Sequence, residues 1–167
     1  SVFSRHRVTE AEIVTARVAG TAQLYGNIDT TGIDEEWTVA KFDLDNGIYT
    51  SDFHEADNWS TTWNPVAPVD LWVIVDESNT GYLYFNGTYV VVPATYNYEA
   101  LTREEIEGFV PSQTAPLPLN NPAGLEQGDV LALVTTDGRF AKIRVVSFSF
   151  YDSSWTNNHS RTIVIDY

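Results

Sequence analysis

Gly128-Asp129-Val130-Leu131-Ala132-Leu133-Val134-Thr135-Thr136-Asp137-Gly138-Arg139-Phe140-Ala141-Lys142-Ile143-Arg144-Val145 is the stretch from which the fold is read. Two alternating runs flank an Asp-Gly pair, the composition of a tight turn that uses positive φ. Successive strand residues point to opposite faces, so Val130, Ala132 and Val134 share one face of the first run. In the second run Lys142 and Arg144 lie opposite Ala141, Ile143 and Val145. The pattern predicts an antiparallel β-hairpin with one apolar side.

Working outward, β-branched and aromatic runs recur at 11–19, 37–44, 69–75, 81–85, 88–93, 129–135, 140–150 and 162–167. Turn chemistry separates them at 26–32, Asp45-Asn46-Gly47, 77–81, Asn86-Gly87 and Thr136-Asp137-Gly138. Asn86-Gly87 reads as a second tight hairpin turn at positive φ. One short helix is expected at 102–107. Thr102 caps it, Glu104 and Glu105 face the positive end of its dipole, and Gly108 ends it. The proline-punctuated stretch 111–122 is a connector too short to separate independently folding domains. The expected architecture is all-β: a single β-sandwich of about eight mainly antiparallel strands over 20–167, preceded by an extended arm over 1–19.

Composition narrows the function classes. In 167 residues with 43% hydrophobic and 13% aromatic content, one sizeable core can form. A formal net charge of −14 and a pI near 4.3 argue against a nucleic-acid partner, which needs a basic surface to displace counterions. No apolar run approaches the roughly 20 residues of a membrane-spanning helix. The chain starts at Ser1 and has no Cys or Met, which fits a secreted protein after signal-peptide removal and an extracellular location. Asn58-Trp59-Ser60, Asn86-Gly87-Thr88 and Asn158-His159-Ser160 match the N-glycosylation pattern, so covalent glycans at Asn58, Asn86 and Asn158 are an expectation.

Catalytic signals are missing. There is no G-x-S-x-G elbow, H-E-x-x-H pair or phosphate-cradling glycine loop, and no thiol nucleophile exists. The sequence is therefore read as that of a non-enzyme. For a metal, Asp43-Leu44-Asp45-Asn46-Gly47 sets two carboxylates beside a turn, as a Ca²⁺ site would. The spacing is not that of an EF-hand, and a polar hairpin turn explains the same residues. For a small ligand, Trp59 and Trp63 lie among Asn58, Thr61, Thr62 and Asn64. They form either a sugar-stacking platform or a cover over one end of the core. Trp37 and Trp72 sit within strands and are expected in the core.

The amino-terminal segment differs from the rest. From Ser1 to Ala19 there is no Gly, Pro, Asn or Asp. Extended at about 3.3 Å per residue it would reach roughly 60 Å, against a radius of gyration of about 15 Å for a compact chain of this length. Arg5, His6 and Arg7 make its first nine residues basic while the remainder of the chain holds the acidic excess. An arm carrying Val2, Phe3 and Val8 suits insertion as an extra strand in an acidic neighbouring copy.

Two resemblances accompany these readings. Thr135-Thr136-Asp137-Gly138-Arg139-Phe140-Ala141-Lys142 resembles a hairpin of secreted bacterial β-rich proteins, including the HmuY-like haem carriers. Trp37-Thr38-Val39-Ala40-Lys41-Phe42-Asp43-Leu44-Asp45-Asn46-Gly47 is similar to their aromatic strand closing on a glycine turn. Haem carriage would imply axial histidines. His6, His54 and His159 lie in no motif matching that family, so no cofactor is expected. In architecture the chain is similar to microbial donor-strand fibre subunits, which implies a homopolymer assembled head to tail through the arm. The alternative is a secreted carbohydrate- or small-ligand-binding module that uses Trp59 and Trp63.

Overall fold

A computed structural model of the chain describes residues 17–32, 35–55, 68–121, 123–153 and 155–167. Among them, ten strands and one helix follow in order. They are β1 Thr21–Asp29, β2 Glu36–Asp43, β3 Ile48–Glu55, β4 Leu71–Val75, β5 Gly81–Phe85, β6 Thr88–Val91, α1 Arg103–Gly108, β7 Leu117–Pro118, β8 Val130–Val134, β9 Phe140–Ser153 and β10 Asn158–Asp166. The fold is all-β and every strand pair is antiparallel. Instead of two stacked sheets of about eight strands, the ten form one sheet curled into a half-barrel, in the order β6-β8-β9-β10-β1-β2-β4-β5-β7, with β3 beside β2.

The curl originates at β2. Along one edge β2 pairs with all eight residues of β3. Along the other, its beginning pairs with β1 at Asn27–Asp29 and its end with β4 at Leu71–Val73. One strand thus holds two partners end to end, and these diverge into the two wings. A close approach makes this possible: a Cβ on Gly26 of β1 would lie 2.9 Å from Val73 Cγ1 of β4.

Alternation places the core. In β1, Ala22, Leu24 and Ile28 point in while Thr21, Gln23 and Tyr25 point out. Leu24, Phe42, Leu71, Val73, Leu83, Leu131, Ile143, Ile163 and Ile165, drawn from both wings, pack into one cluster. Each fully buried Leu or Ile contributes roughly 1.5–3 kcal/mol of transfer free energy. Trp37 and Trp72 are buried in a second cluster with Ile28, Val39, Ile74 and Val75. A bulge at Val146 shifts the register between Val164 and Ile165. By adding one residue to β9 it lets Val145 and Phe148, an odd number of positions apart, both meet the core.

The hairpin of β8 and β9 forms as the alternation demands, with Val130 opposite Arg144 and Val134 opposite Phe140. Only Gly138 takes positive φ there, at +77°. The turn is thus the wider form whose last residue is left-handed, with Thr135 closing it through bonds to Arg139 and Gly138. The second expected hairpin does not form. β5 pairs with β4 and β7, and β6 pairs with β8, so Asn86-Gly87 is a corner between wings. Glycine is required there by proximity, since a Cβ on Gly87 would lie 1.9 Å from Val134 O.

The helix begins where expected. Thr102 caps it by accepting from Glu105 N, and the Glu105 carboxylate accepts from Thr102 N in return. Ile106 packs with Val92, Leu101 and Ala132, covering the outer face of β8. No helix among the described residues is long and apolar enough to cross a membrane.

Candidate functional site

Two features stand apart from this packing, and both belong to the β2–β3 hairpin. The first is β3 itself. It is paired on one edge only among the described residues, and Ile48, Tyr49 and Phe53 are 54%, 43% and 59% exposed. Register places Tyr49 opposite Phe42 and Ser51 opposite Ala40, the two β2 residues that face the main core. Side chains directly opposite share a face. Tyr49 and Ser51 therefore continue the face of Phe42 and Ala40 past the point where the core covers it, whereas Phe53 lies opposite Thr38, whose β1 partner Asn27 is on the outward face with Tyr25. Sheet edges are commonly blunted by lysine, proline or bulges. The stretch 48–53 has none of these, and its one charge, Asp52, is taken up by an ion pair with Lys41 of β2.

The second feature lies at the base of the same hairpin. Asp43 ends β2, Asp45 sits in the turn, and Asp70 directly precedes β4. Pairing of Phe42 with Leu71 brings Asp70 to the turn although it is distant in sequence. The three residues are 4%, 5% and 2% exposed. One carboxylate oxygen from each lies within 4.8 Å of one from each of the others. Asp43 accepts from Asn46 N at 3.1 Å and from Asn46 Nδ2 at 2.7 Å. Asp70 bridges two turns, accepting from Leu44 N at 2.9 Å and from Thr136 N at 2.8 Å. Burial pushes the Asp70 carboxyl above its usual range, its hydrogen bonds pull it back, and the nearby Asp45 charge adds to the upward push. Arg139, from the β8–β9 turn, places Nε 3.5 Å from Asp45 Oδ1 and donates from Nη1 to Asp45 O at 3.2 Å. Asp45 Oδ2 is buried and has no hydrogen-bond donor among the described residues.

The sequence reading thus found two of these three acids. Asp70 was missed because its proximity depends on long-range pairing. The only local signal is a carboxylate set immediately before the wholly buried run Leu71–Val75.

The remaining expected residues separate into two groups. Val2, Phe3, Arg5, Arg7 and Val8 of the arm, Trp59 and Trp63 of the sugar platform, His6 and the sequon at Asn58 lie outside the described residues. Residues 17–19, expected to end a strand, are not in one. Asn86 is exposed at the corner between wings, its Nδ2 donating to Val69 O at 3.0 Å. Asn158 opens β10 half-buried, donating to Asp29 and accepting from Asn27 Nδ2. His159 contacts Asp152 through Nδ1 at 2.7 Å.

A cleft of about 800 Å³ beside Asp45 is lined by Arg17, Arg103, Arg139 and Lys142, four of the nine basic residues of the chain. Much of this charge is occupied in holding structure. Lys142 donates to Tyr98 O and Leu101 O, Arg103 stacks over Phe140, and Arg139 holds Asp45. Comparison of the chain with protein-family models, with curated proteins and with solved structures finds no match.

Proposed function

We propose that the chain is a structural subunit of an extracellular filament, in which the basic N-terminal segment of one copy adds a strand to β3 of the next. The observation that carries this reading is the one-sided pairing of β3 among the described residues, with Tyr49 and Phe53 on one face of the strand and both exposed. A strand added there would satisfy the outward backbone groups of β3 and cover both rings. Val2, Phe3 and Val8 supply apolar side chains for it, and Arg5 and Arg7 are attracted to an acidic neighbour. Val18, near the start of the described residues, meets the turn of the β2–β3 hairpin: a Cβ on Gly47 would lie 3.2 Å from Val18 Cγ1. A head-to-tail contact of this kind does not close on itself and propagates.

Negative-stain imaging of the full chain at high concentration tests the reading. Ordered fibres are expected from the intact chain, and none after deletion of residues 1–9 or in the double variant Tyr49→Lys, Phe53→Lys, whose charges block the edge. A full chain that stays monomeric, or a truncated one that still forms the same fibres, overturns it. A monomer that binds sugar and loses that binding in Trp59→Ala or Trp63→Ala would instead identify a ligand-binding module.

A further inference from the structure

We propose that Asp43, Asp45 and Asp70 form a Ca²⁺-binding site at the base of the β2–β3 hairpin. The inference is independent of the filament reading, since the site lies within one copy. Three observations converge on it. The spacing suits one shared ion: ligands bound at 2.3–2.6 Å stand no more than about 4.6–5.2 Å apart, and these oxygens lie within 4.8 Å of one another. The charge is unbalanced: among the described residues the three buried carboxylates face one guanidinium, that of Arg139, which leaves them two positive charges short. Last, Asp45 Oδ2 is a buried carboxylate oxygen without a donor among the described residues, and it belongs to the carboxylate that meets the other two.

An uncompensated buried charge is strongly unfavourable, and native structures leave few such atoms unpaired. The hydrogen bonds from Asn46, Leu44 and Thr136 orient Asp43 and Asp70 while leaving lone pairs available to a cation. A hard, oxygen-seeking ion fits a set of three carboxylates, with no nitrogen or sulfur ligand joining them among the described residues. Ca²⁺ tolerates an irregular shell completed by water, whereas Mg²⁺ demands near-ideal octahedral geometry at 2.0–2.1 Å. With three acidic ligands the dissociation constant should fall in the range of extracellular modules, roughly 10⁻⁴–10⁻³ M.

The experiment uses the full chain stripped with EDTA, then titrated with CaCl₂ or MgCl₂ at constant ionic strength while thermal unfolding is followed. Saturating Ca²⁺ should raise the melting temperature by about 5–10 °C at a hundredfold excess over the dissociation constant, and Mg²⁺ by much less. Asp45→Asn should abolish the Ca²⁺ shift and, because it removes a repulsive charge, melt in EDTA no lower than the wild type. Exposed Glu104→Gln removes one acid elsewhere and should keep the whole shift. The proposal is overturned by a wild type with no Ca²⁺-dependent shift, by an Asp45→Asn variant that keeps it, or by a Glu104→Gln variant that loses it. An Asp45→Asn variant that melts well below the wild type in EDTA also overturns it, because Asp45 would then serve only as the partner of Arg139.

Discussion

The β8–β9 and β2–β3 hairpins are built alike and finished differently. Both close on a glycine at positive φ, Gly138 at +77° and Gly47 at +66°. The first is enclosed: its inner face, with Leu131, Leu133 and Ile143, joins the main core, and the outer face of β8 is covered by α1. The second has β3 open along one edge among the described residues, with Tyr49 and Phe53 uncovered, and gathers three acids at its base. The two meet there, where Thr136 and Arg139 of one turn contact Asp70 and Asp45 near the other. A hairpin covered on both faces contributes to stability; one left uncovered and charged has surface to spare for another strand and an ion.

The sharpest break in the comparison should come from equivalent truncations. Ile143→Ala removes a fully buried side chain from β9 and should cost about 2–5 kcal/mol. Phe53→Ser on β3 should change stability by no more than about 0.5 kcal/mol. Urea unfolding in dilute solution measures both. Similar losses would mean that Phe53 is covered after all, and the open-edge reading would fail with it.

That contrast also explains what could be read in the sequence. The β8–β9 hairpin was legible because each strand is apolar on a period of two and the turn carries Asp-Gly. The helix was legible because Thr102 and Glu105 sit at capping-box spacing. β3 was not: Tyr49-Thr50-Ser51-Asp52-Phe53-His54 lacks an apolar period, since no core lies over it to select one. β1 was obscured by Gly26, read as a separator but in fact the point where β1 approaches β4. The Val146 bulge and the meeting of Asp70 with Asp43 and Asp45 depend on pairing between distant strands, which local spacing does not encode. Asn86-Gly87 misled for a related reason: the pair suits a tight turn, but the strands on either side of it take other partners.

The turn glycines sharpen the comparison on a smaller scale. Gly138→Ala meets nothing within 4 Å, so its cost should be only that of a left-handed residue with a side chain, about 1–2 kcal/mol. Gly47→Ala carries the same backbone cost and also places a Cβ 3.1 Å from Tyr167 Oη and 3.2 Å from Val18 Cγ1. It should lose about 1 kcal/mol more, through overpacking. Equal losses would show that Val18 and Tyr167 yield freely, and that the point where the N-terminal segment joins the fold is less constrained than its contacts suggest.

The smallest expected effect concerns charge. Asp166 and Asp152, in the β9–β10 wing, each have a cation. Asp166 receives Arg144 Nη2 at 2.5 Å and Thr21 Oγ1 at 2.8 Å. Asp152 receives Arg161 Nη1 and contacts His159 Nδ1, both at 2.7 Å. The bond from Arg144, followed by that from Thr21, holds the Asp166 carboxyl below its usual range; Arg161 and then His159 do the same for Asp152. A carboxyl that ionises more readily folded than unfolded stabilises the fold only while it is charged. Its contribution is complete above the ordinary aspartate value of 3.8 and is lost as pH falls through the lowered folded value. Asp166→Asn should therefore lower the urea midpoint at about pH 6, and the gap from wild type should narrow as pH falls from about 4 toward about 2. Because these groups are partly solvated, the gap should be modest and should shrink in high salt. A gap that stays constant with pH would assign the role of Asp166 to neutral hydrogen bonding with Thr21. The contrast between a wing of paired acids and a hairpin base with too few cations would then rest on the Asp43, Asp45 and Asp70 cluster alone.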